Sequence, residues 1–135
     1  MKPTVVVDSG VLLALWDTDD VQHQAALSVL ERYLAAGSRL VVAVTTLTEV
    51  LVGAFRATPY AVRTVEGFVD DLVGEVRTVD RAVGRAAAKL LAEHPTLALA
   101  DALLLATGEV VGAREILTTN AHLEHLDQRV RVLTR

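Results

Sequence analysis

Apolar positions fall along the chain in short blocks of two kinds. Residues 4–7, Thr4-Val5-Val6-Val7, are a continuous β-branched run that suits a strand buried on both faces. Asp8-Ser9-Gly10 interrupts it, and residues 11–15 resume as the start of a short helix. The polar stretch 17–20 reads as a loop able to cap the next helix. Within residues 21–36, Ala25, Leu27, Leu30 and Leu34 recur at helical spacing, and Gly37 stops the pattern. Residues 40–44 read as a second buried strand and 45–57 as a helix; Pro59 opens another that runs to residue 72. Residues 76–79 suit a short strand. Asp80 caps a helix that ends before His94-Pro95. Residues 97–111 are a strongly apolar helix. Strands at 116–118 and 130–133 follow, with a loop or short helix between them. Strands thus alternate with helices, which predicts an α/β fold whose central parallel sheet is covered on both faces. No repeat, low-complexity tract or linker divides residues 1–135, so the chain reads as one domain.

Composition narrows the class. Hydrophobic residues are 52% and charged residues 22%, which excludes a disordered protein. The absence of cysteine excludes a disulfide framework, a thiolate zinc site and a Cys nucleophile. The net charge of −4 provides no global positive field for nucleic acid, so any such binding needs a local patch. The N-terminal apolar stretch is broken by Asp8, and the window 97–113 carries Asp101 and Glu109. A charge within a membrane is expensive. Both windows therefore read as core elements of a soluble, cytoplasmic protein.

Four places carry candidate chemistry. Asp8 follows the first strand, and ligands of open α/β sheets sit beyond the carboxyl ends of strands. It serves equally as a helix N-cap before Ser9-Gly10. Glu49 lies just past the second strand, in the expected first turn of the helix from residue 45. Thr46-Leu47-Thr48-Glu49 also matches a capping box, with Glu49 reaching back to the Thr46 N–H. Asp101 stands among apolar and small residues, with no Lys or Arg three or four positions away. A core acid is costly unless paired or bound to a cation, although the first turn of a helix also favours an acid. Asn120 follows the strand at 116–118, where it can cap a short helix or offer a carbonyl oxygen to a metal. Nearby His122 and Glu124 read as a polar loop. Oxygen donors without Cys point to a hard cation, Mg²⁺ or Mn²⁺. A fifth feature is a stripe, Arg81, Arg85 and Lys89, spaced four apart on one helix. It can neutralise a phosphate backbone or simply form a solvated face.

Four stretches in order resemble the PIN-domain family, in particular VapC-type toxins of toxin–antitoxin pairs. They are Val5-Val6-Val7-Asp8-Ser9-Gly10-Val11-Leu12-Leu13-Ala14-Leu15 with the acidic loop to His23, Thr45-Thr46-Leu47-Thr48-Glu49-Val50-Leu51-Val52-Gly53, Leu99-Ala100-Asp101-Ala102-Leu103-Leu104-Leu105-Ala106, and Leu117-Thr118-Thr119-Asn120. The resemblance covers nearly the whole chain. It implies a three-layer α/β/α fold and a metal-dependent endoribonuclease whose three acids fall on Asp8, Glu49 and Asp101. It also implies an RNA substrate, a VapB-type antitoxin and a homodimer. The family's fourth acid is usually an Asp where this chain has Asn120, which removes one negative charge and weakens the case for a second cation. Two other readings stand beside this one. A PIN fold that binds without cleaving is favoured by Asn120. A phosphotransfer module with Asp8 as nucleophile lacks the flanking acids and the C-terminal lysine it needs.

Overall fold

The computed structural model describes residues 2–134. Strands and helices alternate along them as β1 (Thr4–Val7), α1 (Ser9–Trp16), α2 (His23–Ala35), β2 (Arg39–Ala43), α3 (Val44–Ala57), α4 (Pro59–Leu72), β3 (Glu75–Arg77), α5 (Arg81–Glu93), α6 (Leu99–Val110), β4 (Glu115–Thr118) and β5 (Val130–Val132). A 3-10 turn, Ala121–Leu123, separates the last two strands. All the strands are parallel, in the order β3-β2-β1-β4-β5.

The continuous apolar runs are explained by layers on both faces. Successive strand side chains point to opposite sides. Val5, Val7, Leu40, Val42 and Leu117 pack against α1, α2, α3 and α4. Val6, Val41 and Ile116 face Leu104 and Leu105 of α6. Val83 and Ala87 of α5 meet Ala102 and Ala106 of α6. These small residues let α5 and α6 lie close together as a helical hairpin joined by residues 94–98. The result is the expected α/β/α sandwich.

Local details depart from the sequence reading in three places. α3 begins at Val44 directly after β2, with Ala43 as its N-cap and no side-chain cap. Thr46 is therefore inside the helix and buried, so the capping box expected at 46–49 does not form, and Glu49 stands in the second turn. The packing of the β2–α3 junction overrides the local capping signal. α2 starts at His23 with Gln22 as an N-cap whose side chain makes no capping bond and donates instead to the Leu133 carbonyl at 3.1 Å. Asp20 instead accepts from the Gln22 N–H at 2.8 Å, ahead of the helix. β3 covers Glu75–Arg77 and not 76–79. Asp80 does cap α5, accepting from the Val83 N–H at 3.0 Å, and Gly37 takes the left-handed conformation, φ 76°, that ends α2. Among the described residues, no helix is long and apolar enough to cross a membrane.

Candidate functional site

The sheet order fixes where a ligand can sit. The chain runs outward from β1 through β2 to β3, then returns to add β4 on the other side of β1. The crevice beyond the carboxyl ends of β1 and β4 is therefore the topological switch point, the usual ligand site of an open parallel sheet. Asp8 and Asn120 lie just past those two strand ends.

Asp8 is both the cap and the crevice acid. Its Oδ1 accepts from the Ser9 N–H at 2.7 Å. Its Oδ2 accepts from the Thr118 hydroxyl at 2.6 Å. Thr118 is fully buried at the end of β4, and its oxygen in turn accepts from the Asn120 N–H at 3.1 Å. One hydroxyl thus ties the β1 end to the β4 loop and orients the carboxylate. Sequence reasoning missed Thr118; the available signal was a polar residue closing an otherwise apolar buried strand. The same junction explains Gly10: a Cβ there would stand 2.1 Å from the Thr119 Oγ1.

Glu49 and Asp101 approach Asp8 from α3 and α6. Burial pushes the Asp101 carboxyl above its ordinary value, and the charge of Asp8 adds to the shift. Glu49 is raised by burial first, then by Asp8, and to a lesser extent by Asp101; the Ser9 hydroxyl opposes this. Glu49 therefore senses the charges of Asp8 and Asp101, and Asp101 senses that of Asp8. Among the described residues, the ion pairs join Arg39, Arg77, Arg129 and Arg131 to Glu75, Asp80, Asp127 and Glu115, and none reaches the crevice acids. Asp101 shares a groove of about 400 Å³ with Asn120, His94, Thr96 and His122. The Asn120 Oδ1 accepts from the His122 N–H at 3.0 Å and so caps the 3-10 turn. His122 and Glu124 are exposed.

A PIN domain family model matches residues 5–129. The chain belongs to the PIN domain family. No curated protein sequence matches it significantly. Solved PIN-fold structures similar to it include a toxin–antitoxin complex from Klebsiella pneumoniae, 21% identical, covering 97% of this chain and 98% of that one, with a TM-score of 0.76. VapBC2 from Rickettsia felis, bound to a promoter DNA fragment, is 10% identical over 97% and 99% of the two chains, with a TM-score of 0.80. VapC20 from Mycobacterium tuberculosis, a toxin that cleaves the sarcin–ricin loop, is 19% identical over 83% and 86%, with a TM-score of 0.64. At these identities the likeness is one of fold.

Within this PIN domain the crevice donors are carboxylate, hydroxyl and amide oxygens. That set suits a hard divalent cation. Among the described residues, no group of three or more His, Asp and Glu side chains is drawn together tightly enough to hold an ion as it stands. The basic stripe is placed elsewhere. Arg81, Arg85 and Lys89 line a groove with Glu109 and Val110 in the last turn of α6, whereas Asp101 is in its first.

Proposed function

We propose that this protein is a divalent-cation-dependent endoribonuclease and the toxin of a toxin–antitoxin pair, acting in the cytoplasm. The observation that carries the reading is the convergence of Asp8, Glu49 and Asp101, none ion-paired among the described residues, at the switch point of a PIN sheet. Asp8, Glu49 and Asp101 would hold Mg²⁺ or Mn²⁺, with the Asn120 amide oxygen as a secondary donor. The bound ion supplies Lewis-acid charge beside the scissile phosphate and acidifies water there.

The side chains do the rest. Thr118 holds the Asp8 carboxylate in one orientation. Glu49 keeps access to solvent while partial burial of its carboxyl raises it, so it is suited to take the proton of the attacking water. Water oxygen bonds to phosphorus, the bond to the 3′ oxygen breaks, and that oxygen leaves as a hydroxyl after taking a proton from solvent. The products carry a 5′-phosphate and a 3′-hydroxyl. A VapB-type antitoxin is an expected partner, supported by the fold shared with the Klebsiella pneumoniae toxin–antitoxin complex; a second copy of the chain is expected from the family resemblance alone.

A second reading, a PIN fold that binds RNA or protein without cutting, is favoured by Asn120, whose side-chain oxygen already caps a turn. Incubation of purified protein with RNA in Mn²⁺ separates the two. Cleavage that stops with chelator and with Asp8→Asn is expected. Binding without divalent-dependent cleavage would overturn the nuclease reading.

A further inference from the structure

We infer that the face of α5 carrying Arg81, Arg85 and Lys89 is a phosphate track along which an RNA strand is led to the carboxylate crevice; this rests on the nuclease reading above. The helix rises about 1.5 Å per residue, so the three cations span about 12 Å, each rotated about 40° from the last. They form a line along one face. All three are exposed. Among the described residues none of them forms an ion pair. The one acid in their groove is Glu109. Ala82 and Ala86 lie between the cations and keep the groove floor low.

The direction of the line supplies the purpose. Arg81 lies beside the last turn of α6, and α5 runs back antiparallel to it through Lys89 toward residues 94–98. His94 and Thr96 in that linker line the groove that contains Asp101 and Asn120. His94 caps the end of α5 and lines the crevice groove, so the stripe points toward the acids, with exposed Glu93 the next residue along its line. A stacked strand advances about 3.4 Å per phosphate, so the stripe matches about three to four nucleotides. An acidic protein segment would be drawn by the same charges. The linear spacing, on a helix whose C-cap His94 lines the crevice groove, favours a nucleic-acid backbone.

The test measures binding of the full chain to a fluorescein-labelled, unstructured oligoribonucleotide of about 16 nucleotides, a length that fills both track and crevice. Chelator is present, and the salt concentration is varied. The variant Arg81→Gln/Arg85→Gln/Lys89→Gln retains strong helix formers. Its control, Lys2→Gln/Arg32→Gln/Arg114→Gln, removes the same charge from exposed positions that line neither groove. Loss of the stripe is expected to reduce the salt slope by about 2, at about 0.7 per phosphate contact, while the control leaves it unchanged. With Mn²⁺, the stripe variant should raise KM for the long RNA and leave cleavage of an oligomer of about 4 nucleotides unaltered. An unchanged slope in a folded stripe variant, or equal loss in the control, overturns the track. Loss of binding to a poly-glutamate probe with no change toward RNA overturns it in favour of an acidic partner. A stripe-dependent slope without any cleavage by the parent protein sustains the track and sinks the nuclease reading.

Discussion

Thr118→Val tests whether one buried hydroxyl organises the site. The substitution keeps the shape of the side chain and removes two hydrogen bonds, one donated to the Asp8 carboxylate at 2.6 Å and one accepted from the Asn120 N–H at 3.1 Å. A bond to a charged acceptor contributes about 1.5–3 kcal/mol, and a backbone N–H left without a partner costs at least about 1 kcal/mol. The added methyl group returns about 1 kcal/mol by burial. The net loss is about 2–3 kcal/mol, since Asp8 and Asn120 are only half-buried and water satisfies part of what is lost. For 135 residues, an unfolding entropy of about 2.1 cal/mol/K per residue makes each kcal/mol worth about 3.5 °C in Tm. Thr118→Val should therefore melt about 7–11 °C below the parent protein in chelator. Thr118→Ser keeps the hydroxyl and loses a methyl group, so it should fall by only about 3–4 °C. It should also keep RNA cleavage, which Thr118→Val loses as Asp8 is released. Scanning calorimetry with a cleavage assay decides the matter. A valine variant that melts within about 2 °C of the parent, or a serine variant as damaged as valine, refutes the role given to the hydroxyl.

The other expectations concern charge and packing. Asp101→Asn removes one of three repelling charges; the metal-free protein should be as stable as the parent or more so, and the melting shift on adding Mn²⁺ should shrink, by mass action on a weakened site. The raised Glu49 and Asp101 carboxyls favour the folded state at low pH. Metal-free stability should therefore decline as pH rises from the ordinary carboxyl range of about 4 through the raised folded values, and millimolar Mg²⁺ should flatten that decline in denaturant titrations; a stability that climbs over this window would contradict the coupling. Gly10→Ala meets the Thr119 hydroxyl at 2.1 Å and should destabilise by about 1–3 kcal/mol. Gly53→Ala, in the open on α3, should stabilise by about 0.5–1 kcal/mol in the same melts.

The elements were legible wherever burial alone set the pattern. Val5-Val6-Val7 and Leu40-Val41-Val42 are covered on both faces, and an unbroken apolar run announces that directly. β3 was placed less well because each of its residues is only partly buried. The start of α3 was misread because a local signal, Thr46 to Glu49, lost to the packing of Thr46 itself. At the site, Asp8 and Asp101 stood out as acids in apolar surroundings. The partner of Asp8 did not, because Thr118 lies 110 positions away and its role exists only through the pairing of β1 with β4. The sheet order was equally hidden, since nothing local in either strand names its neighbour.

That long-range pairing has a consequence for synthesis. β1 leaves the ribosome ahead of the other strands of its sheet, yet Thr118 at the end of its neighbour β4 follows Asp8 by 110 positions. At about 5–20 residues per second, the first strand waits several seconds for Thr118. Throughout that interval Asp8 lacks the hydroxyl that orients it, and α6 with Asp101 has no β4 to close the layer. A nascent copy therefore has no assembled crevice until β4 has been made. The order of the strands acts as a timer on assembly of the crevice, which is complete only once β4 has joined β1.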